Sequence, residues 1–210
     1  MCDHNHGNNG HGGCCDHSGD SIDELNATAY SLYQKIDMQN IECLNERIDG
    51  SGVKVFKPWS ERLNREVYVE SDCDAELLFN IPFTGDVKLK GIVVIADEEL
   101  STMRLFKSKL RMTFDDIECE PDQEFDVTYD SNGTIEYPVK ATKFFNVHHL
   151  TIHFTNKVKE DESKPCRIYY IGLKGEFTQV NRDGIVIANY EIRPTENISD
   201  NLEINSRTVQ

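Results

Sequence analysis

Histidine and cysteine, the side chains that most often bind zinc, are concentrated at the start of this chain. The first twenty residues hold four of the seven histidines and three of the seven cysteines. No Cys-x-x-Cys pair occurs among them, and the adjacent Cys14 and Cys15 are poorly placed to share one tetrahedral ion. Because the segment is rich in Gly and Asn and cannot bury enough apolar surface to fold alone, we predict that residues 1–20 are a disordered tail. This interpretation requires no metal and no cofactor. Metal or redox handling by the tail is the alternative, with these candidate ligands: His4, His6, His11, Cys14, Cys15 and His17.

A run of carboxylates between Asp115 and Asp130 is the second group of residues that could do chemistry. Clustered carboxylates bind calcium in EF-hand loops, but the regular ligand spacing and fixed glycine of such a loop are absent here. We therefore interpret the run as a solvated loop whose negative potential steers a basic surface of a partner protein. The residues predicted to contact that partner are Asp115, Asp116 and Asp122.

The remaining histidines, His148, His149 and His153, lie in one short segment. Apolar alternation over residues 150–154 predicts that even-numbered side chains face the core and odd-numbered ones face outward. His148 is then on the core side, and His149 and His153 share the outer side. A metal site or a proton relay is possible chemistry for such histidines. No acidic or thiol partner lies at a telling distance in the sequence, so a cross-strand stack or a solvated face is favoured.

Motifs that carry catalysis are missing from the sequence. It contains no Gly-x-Ser-x-Gly elbow, no phosphate-binding glycine loop and no His-Glu-x-x-His zinc motif. No spacing of Asp, His or Cys singles out a nucleophile with its base. We therefore predict that the protein is not an enzyme.

Composition restricts the partners and the compartment. A formal net charge of −15 opposes binding to nucleic acid and to anionic membranes. No apolar stretch approaches the roughly 20 residues of a membrane span, and no signal peptide is evident. An odd number of scattered cysteines is typical of reduced thiols, so we expect the protein in the cytoplasm and nucleus. We also expect it to be a monomer. The cysteines expected to be free thiols are Cys43, Cys73, Cys119 and Cys166.

The elements that must position these residues centre on the run Glu76–Ile95. Odd-numbered apolar residues recur from Leu77 to Phe83 and again from Val87 to Ile95, a period that predicts strands with one buried side. Thr84-Gly85-Asp86 interrupts the run with turn-forming residues, so we predict strand, turn, strand, or at least two extended segments joined by a bend. Pro82 cannot donate a ladder hydrogen bond, which favours an edge or a bulge.

Around this centre the sequence predicts helix only near the start and short strands elsewhere. A capping box at Ser21–Glu24 begins a short helix to about Tyr33. Asn132-Gly133 predicts a hairpin between neighbouring strands. We also predict a helical turn from Asp37, a charged loop at Lys157–Pro165 and a disordered polar tail over residues 194–210. The predicted strands are Met103–Phe106, Met112–Phe114, Phe125–Tyr129, Thr134–Tyr137, Lys143–Phe154, Arg167–Leu173 and Ile185–Tyr190. Gly175 is expected to end the strand that begins at Arg167.

Trp59 is the only tryptophan and lies in the run Phe56-Lys-Pro-Trp59. We interpret Phe56, Pro58 and Trp59 as a plug at one end of the core. A surface recognition site is the alternative, because tryptophan is enriched at binding hot spots.

Seven or eight short strands with frequent turns predict an all-β fold, an antiparallel β-sandwich of jelly-roll type. We predict one domain over residues 21–193, and from about Tyr30 to Glu191 the chain resembles the PITH domain family. The resemblance rests on these stretches: Leu32-Tyr33, Ile36-Asp37, Cys43-Leu-Asn-Glu46, Phe56-Lys-Pro-Trp59, Val69-Glu-Ser-Asp72, Glu76-Leu-Leu-Phe-Asn-Ile-Pro-Phe-Thr84, Val87-Lys-Leu-Lys-Gly-Ile92, Phe114-Asp-Asp116, Pro121-Asp-Gln123, Asn146-Val147, Leu150-Thr-Ile152, Tyr170-Ile-Gly-Leu-Lys-Gly-Glu176 and Asn189-Tyr-Glu191.

The resemblance implies a galactose-binding-like sandwich in a family associated with the proteasome. In the thioredoxin-like relative, this domain follows a thioredoxin module and binds the regulatory particle. The present chain has no thioredoxin module and no Cys-x-x-Cys, so that redox activity does not carry over. The resemblance therefore implies a non-catalytic protein-interaction module whose partner is the proteasome or its regulatory particle. A small-ligand-binding sandwich is the alternative, since loops at one end of such a fold hold ligands.

Overall fold

The computed structural model describes residues 29–156 and 164–178, which all lie within one compact unit, Met1–Val180. Several predictions fall outside these residues: the six candidate metal ligands, most of the helix from Ser21, residues 157–163 of the charged loop, the strand at Ile185–Tyr190 and the polar tail. The described residues contain eight strands: β1 Glu42–Leu44, β2 Val69–Glu70, β3 Glu76–Ala96, β4 Leu100–Lys107, β5 Gln123–Asp126, β6 Glu136–Pro138, β7 Val147–Asn156 and β8 Arg167–Thr178. Short 3₁₀ helices span Tyr33–Lys35, Gly52–Val55, Trp59–Glu61 and Phe114–Glu118. Within the described ranges, no helix is long and apolar enough to cross a membrane.

One long strand, β3, joins two halves of a single hydrogen-bonded network that contains all eight strands of the described residues, and we call these halves the first and the second sheet. Its first part pairs with β1 on one side and β7 on the other, and β7 continues to β4 and β5. Its second part pairs with β6 and β8, and β8 continues to β2. All of these pairings are antiparallel, so the predicted all-β antiparallel fold is confirmed.

The predicted reversal at Thr84-Gly85-Asp86 is wrong, because β3 runs without a break from Glu76 to Ala96. In place of a reversal, the pairing of β3 with β7 shifts register between Pro82 and Val87. Pro82 is the last residue in register before the pairing with β7 shifts, as its missing N–H predicted. Gly85 serves close packing here, since a Cβ would come within 2.9 Å of the Phe177 ring.

A β-bulge at Lys90 changes which side chains of β3 face the core. Leu89 pairs with Gly175 and Gly91 pairs with Lys174, so Lys90 is an extra residue in the ladder. One inserted residue exchanges the two faces of a strand. The prediction that odd-numbered side chains of this strand face the core is therefore wrong after Leu89. The main core receives Ile92, Val94 and Ala96, whereas Val93 and Ile95 lie in a separate cluster.

The main core lies between the two sheets, and each sheet also buries part of its outer face. On the first sheet Leu78 packs with Phe106, Met112 and Ile117. On the second sheet Val93 and Ile95 pack with Tyr169 and Tyr170. Full burial of one large apolar side chain contributes about 1.5–3 kcal/mol, so these outer layers add substantially to stability.

Two predictions about local helices and strands are wrong. The segment from Asp37 forms a turn that leads into β1. The predicted strand at Met112–Phe114 is replaced by a 3₁₀ helix over Phe114–Glu118, which begins with a capping box formed by Thr113 and Asp116. In both places polar residues that bond their own backbone outweigh the short apolar pattern.

Two further predictions, a hairpin and the end of a strand, also differ from the structure. Asn132-Gly133 does form a turn, with Gly133 at φ +69°, a conformation that glycine adopts without strain. The strands on its two sides do not form a hairpin, because β5 pairs with β4 and β6 pairs with β3. Gly175 does not end β8, which continues to Thr178.

Candidate functional site

A groove of about 540 Å³ opens where β1, β2 and β8 come together. Arg47 and Ile48 follow β1, Glu70 ends β2, and Arg167 begins β8. We call it the Glu70 groove, after the residue that its two arginines share. Its lining residues are Arg47, Ile48, Ser51, Lys54, Glu66, Val67, Tyr68, Glu70 and Arg167.

The carboxylate of Glu70 is 8% exposed and is bonded to two arginines. Arg47 Nη1 donates to Oε1 at 2.6 Å, and Arg167 donates to Oε2 from Nε at 3.0 Å and also from Nη2. The hydrogen bond from Arg167 is the main cause that holds the pKa of Glu70 below its usual range. The same bond raises the pKa of Arg167. Glu70 and Arg167 are therefore both charged at neutral pH.

Backbone and side-chain bonds fix the rim of the groove. The Glu46 carboxylate accepts hydrogen bonds from Gly50 N at 2.7 Å, Gly52 N at 2.6 Å and Ser51 Oγ at 3.1 Å. The backbone N–H of Arg47 donates to Glu70 O at 2.8 Å. A rim held in one conformation loses little entropy when a partner binds.

A row of alternating cations and aromatic rings extends from the groove. The Arg167 guanidinium lies 4.9 Å from the centre of the Tyr68 ring, which lies 5.9 Å from the Tyr169 ring. Arg65 lies 4.9 Å from the other end of the row, over Tyr169. Such contacts stabilise an exposed guanidinium by about 0.5–1 kcal/mol and hold it in one orientation.

The groove exposes the residue types that are found at protein interfaces. Ile48 is 65% exposed and Tyr68 is 40% exposed, and both line the groove together with the two arginines. Interfaces are enriched in tyrosine and arginine, and these residues carry much of the binding energy. In residues 29–156 and 164–178, no three His, Cys, Asp or Glu side chains are grouped so that they could hold a metal ion.

Of the three acidic residues predicted to contact a partner, two stabilise local structure. Asp116 Oδ2 accepts from Thr113 N at 2.9 Å and from Thr113 Oγ1 at 3.0 Å, bonds that lower the pKa of Asp116. Asp122 Oδ2 accepts from Lys107 N at 2.7 Å. Asp115 is exposed and lines a separate cavity of about 400 Å³ together with Asp116. Their role in binding stays a prediction, and neutralising all three would also remove these two structural contacts.

Asp130 ends the same acidic run and acts as a turn cap. Its carboxylate accepts backbone hydrogen bonds from Asn132 at 2.9 Å, Gly133 at 3.1 Å and Ile135 at 2.6 Å. Burial alone would raise the pKa of Asp130, but the bonds from Ile135, Asn132 and Thr134 hold it below the ordinary value. The carboxylate is therefore committed to the turn before β6.

The histidines are not arranged as predicted. His148 is exposed instead of facing the core, and its Nε2 lies 2.6 Å from Asp86 Oδ1. His153 is 3% exposed instead of facing solvent, because the outer face of the first sheet is covered. Its Nε2 lies 2.8 Å from Glu76 Oε2, and the ring of Phe114 packs edge-on against it at 6.2 Å. Sequence spacing could not reveal Glu76 as the partner, because it lies on the adjacent strand.

Trp59 does not plug the main core. It is partly buried against the outer cluster of the second sheet, with its ring 6.3 Å from that of Tyr170. Arg62 lies 4.1 Å above the ring. Phe56 does belong to the main core and is 4% exposed. Phe56 therefore packs in the main core, whereas Trp59 packs in the outer cluster of the second sheet.

All four cysteines of the described residues are free thiols: Cys43, Cys73, Cys119 and Cys166. Burial raises the pKa of Cys166 to about 12 and also raises the pKa of Cys43. Neither thiol is a nucleophile at neutral pH.

The groove was not recognised in the sequence because its three central residues are far apart along the chain. Arg47 and Glu70 are separated by 23 residues, and Glu70 and Arg167 by 97. The available indication was the carboxylate of Glu70 inside the motif Val69-Glu-Ser-Asp72, next to a strand position that must be buried.

Comparison with known proteins agrees with this architecture. A profile of the PITH domain matches residues 23–194. The chain is 50% identical over 187 residues to PITH domain-containing protein CG6153 of Drosophila melanogaster, and the aligned region covers 87% of each chain. It is 47% identical over 192 residues to PITH domain-containing protein 1 of Homo sapiens, covering 90% of this chain and 89% of that one.

Among solved structures, the CBM32-1 and CBM32-2 domains of ZmpB from Clostridium perfringens, in complex with GalNAc, match with a TM-score of 0.50. The match covers 76% of this chain and 39% of that chain at 12% sequence identity. Similarity at this level shows the fold alone. The predicted galactose-binding-like β-sandwich is confirmed.

Proposed function

This chain belongs to the PITH domain family, and we propose that it is a non-catalytic protein-interaction module whose partner binds in the Glu70 groove. The observation that carries the proposal is the pair of arginines fixed on the buried carboxylate of Glu70, beside the exposed Ile48 and Tyr68. Fixed cations next to exposed apolar surface are suited to a protein segment that brings both a carboxylate and an apolar side chain.

Charge in the groove supports this choice of partner segment. The lining includes three cations, Arg47, Lys54 and Arg167, and the carboxylates of Glu66 and Glu70. Glu70 is buried beneath its arginines, whereas the side chain of Arg47 is 63% exposed. The guanidinium nitrogens of Arg47 that do not bond Glu70 remain for a partner carboxylate.

As the partner we propose the proteasome, through its regulatory particle. The support for this partner is the resemblance to the PITH domain, and the site proposed for it is the groove. For the same reason we propose that the protein is located in the cytoplasm and nucleus, which agrees with the four free thiols of the described residues. The exposed Asp115 would act as a secondary contact for basic residues of the partner.

A small ligand is the second candidate occupant of the groove. Its volume of about 540 Å³ lies in the range of small-molecule sites, which run from about 300 to 1,000 Å³. Tyr68 would then provide an aromatic face and the arginines would provide polar contacts. Protein docking is preferred because Ile48 and Tyr68 project outward instead of enclosing the space.

The proposal can be tested by measuring the affinity of the full chain for purified regulatory particle by biolayer interferometry. We expect Arg47→Ala and Tyr68→Ala each to weaken binding about tenfold, the effect of one hot-spot residue, at a temperature where both variants are shown to be folded. Arg104→Ala is the control, because Arg104 is an arginine on β4 whose ion pair with Glu124, at 2.9 Å, lies outside the groove.

Each outcome of this experiment is informative. If the wild-type chain does not bind the regulatory particle, that partner is excluded. If it binds and the Arg47 and Tyr68 variants bind equally well, the groove is not the docking site. Binding of a small molecule that protects both arginines from modification would favour the second candidate.

A further inference from the structure

A lysine nitrogen and a cysteine sulfur are in direct contact beside the first sheet. Lys109 Nζ lies 2.7 Å from Cys119 Sγ. Lys109 is on the loop that follows β4, and Cys119 comes directly after the 3₁₀ helix Phe114–Glu118. The exposed thiol of Cys73, by comparison, lies next to a carboxylate, 3.4 Å from Asp72 Oδ2. The contact at Cys119 therefore joins two groups that can both be oxidised, an amine and a thiol.

The segments that carry Lys109 and Cys119 are held together by the residue Asp122. Its carboxylate Oδ2 accepts a hydrogen bond from Lys107 N at 2.7 Å. Its backbone N–H donates to Leu105 O at 2.9 Å. These two bonds fix the chain just after Cys119 against the end of β4, just before Lys109.

The loop that carries Lys109 is also attached to the first sheet on both sides of that residue. Ser108 N donates to His149 O at 2.8 Å. The buried Asn80 amide donates to Met112 O at 2.9 Å and accepts from Met112 N at 3.1 Å. Because both segments are fixed in this way, the amine and the thiol are already oriented for a reaction with each other, which raises their effective concentration.

An oxidant can reach the pair from solvent. Lys109 is exposed, Cys119 is half-buried, and both line a cavity of about 400 Å³. The susceptibility of a thiol to oxidation follows its exposure, and Cys166 is by contrast completely buried. Asp115 and Asp116 line the same cavity. Hydrogen peroxide is small and uncharged, so these carboxylates do not repel it.

We propose that Lys109 and Cys119 are a redox-sensitive pair that hydrogen peroxide converts into a covalent cross-link, with one oxygen atom bridging Nζ and Sγ. A nitrogen and a sulfur that share one bridging oxygen are two bonds apart, and the present separation of 2.7 Å accommodates that arrangement. A direct nitrogen–sulfur bond would require the two fixed segments to move closer together. The pair shares no residue with the Glu70 groove, so the cross-link goes beyond the function proposed above.

The reaction consumes two equivalents of peroxide. The O–O bond of the first breaks at the thiol: one oxygen stays on sulfur as a sulfenic acid, and the other leaves as water. The Nζ–O bond forms in the second step. There the amine and the sulfenic acid each give up one hydrogen, and the second peroxide leaves as two waters. Nitrogen and sulfur each lose two electrons, and the two O–O bonds accept all four. An ammonium and a thiolate together carry the same protons as the neutral pair, so the balance holds for either form.

The cross-link would make oxidation of Cys119 reversible. A sulfenic acid that finds no partner is oxidised further to a sulfinic acid, which is generally irreversible. Capture by Lys109 competes with that second oxidation. Two equivalents of a dithiol then reverse the cross-link, since four hydrogens return nitrogen, sulfur and the bridging oxygen to amine, thiol and water.

The test is peptide mass spectrometry on the full chain after a brief treatment with hydrogen peroxide and blocking of the remaining thiols. We expect a link between Lys109 and Cys119 whose mass exceeds that of the two unmodified groups by one oxygen less two hydrogens. A dithiol added before the blocking step should remove it. The same treatment in urea, where the two segments separate, should lower the yield about tenfold or more, because the effective concentration is lost.

Lysine variants then test the role of the amine. Lys109→Arg retains the charge but not the amine, so we expect no cross-link and accumulation of sulfinic acid at Cys119. Lys107→Arg is the matched control, because Lys107 Nζ lies over the Phe145 ring, and its replacement should leave the yield unchanged. The proposal would be overturned by oxidation of Cys119 without a link to Lys109, by a link that lacks oxygen, by an equal yield in urea, by a link that survives in Lys109→Arg, or by no modification of Cys119.

Discussion

Asn80 and Met112 are joined by two hydrogen bonds in opposite directions, although 32 residues separate them in the chain. The Asn80 amide donates to Met112 O at 2.9 Å and accepts from Met112 N at 3.1 Å. Thr151 Oγ1 donates to the same amide oxygen at 2.9 Å. One buried side chain on β3 thus satisfies the loop after β4 and a hydroxyl of β7.

Replacement of Asn80 by Leu should lower the free energy of unfolding by about 2–4 kcal/mol, because two backbone groups of Met112 lose their partners while buried. Urea denaturation of the two proteins measures the difference. Asn40→Ala is the control, because Asn40 is exposed and bonds only to Asp37, so its effect should stay within about 0.5 kcal/mol. Equal stability of Asn80→Leu and wild type would show that the loop does not depend on this amide.

His153 should make stability depend on pH just below neutrality. Burial lowers the pKa of His153, more than the neighbouring Glu76 raises it. Its Nδ1 is buried without a hydrogen-bond partner, so protonation there would bury an unpaired N–H. As pH falls below the ordinary value of about 6.5, the unfolded chain binds the proton first, and stability decreases down to the lower folded pKa. We expect His153→Gln to flatten the curve of unfolding free energy between about pH 7 and pH 5. Parallel curves would contradict this.

Glu70 should control stability at lower pH. Its folded pKa is depressed, mainly by Arg167, so its contribution is complete above the ordinary value of about 4.3 and is lost as pH falls through the folded pKa. We expect Glu70→Gln to cost about 1–3 kcal/mol at pH 7, and this difference from wild type should shrink in acid. Glu124→Gln is the control, because the ion pair of Glu124 with Arg104 is exposed. A difference that stays constant with pH would mean that the charge of Glu70 is not what stabilises the groove.

Trp59 should be less important to the fold than a core tryptophan. Since Trp59 is only partly buried, on the outer face of the second sheet, we expect Trp59→Ala to cost about 1–3 kcal/mol instead of the roughly 3–5 kcal/mol of a fully buried ring. Trp59→Phe, which retains an aromatic ring against Tyr170, should recover most of the loss. Chemical denaturation measures both. Complete unfolding of the alanine variant would restore the core role predicted from the sequence.

The four described cysteines should differ in reactivity according to burial. Burial raises the pKa of both Cys43 and Cys166, so iodoacetamide should leave them unmodified in the native protein. Cys73 is exposed, but its hydrogen bond to Asp72 raises the pKa of the thiol and slows its reaction. Peptide mass spectrometry after a timed pulse of reagent measures each site separately. Rapid modification of Cys166 would mean that the core opens locally.

The sequence was most informative where neighbouring residues decide the outcome. Alternation from Leu77 to Phe83 identified a strand and its buried side, because a period of two is a local property. The same reasoning failed beyond Leu89, because one extra residue at Lys90 exchanged the faces and no residue type marks a bulge unambiguously.

The candidate sites depended on contacts that no local pattern contains. Glu70 obtains its arginines from two other strands or loops, and His153 obtains Glu76 from the adjacent strand. Asp116 illustrates the opposite error. Its place in an acidic run indicated a surface for binding, whereas its actual role is decided by Thr113 three residues earlier. A search for reciprocal caps would have found that bond in the sequence.

The sharing of β3 by both sheets also affects how the protein is made. On the ribosome, β3 is complete once Ala96 has been synthesised, yet β7 begins only at Val147 and β8 only at Arg167. Until then, long edges of an apolar strand lack their main partners, and an unpaired edge promotes association with other chains. Because pairing between distant segments is slow to form, β3 stays exposed in this way at least until those two strands have been made. During translation, residues 76–96 are therefore a site for association with other chains that the finished protein no longer exposes.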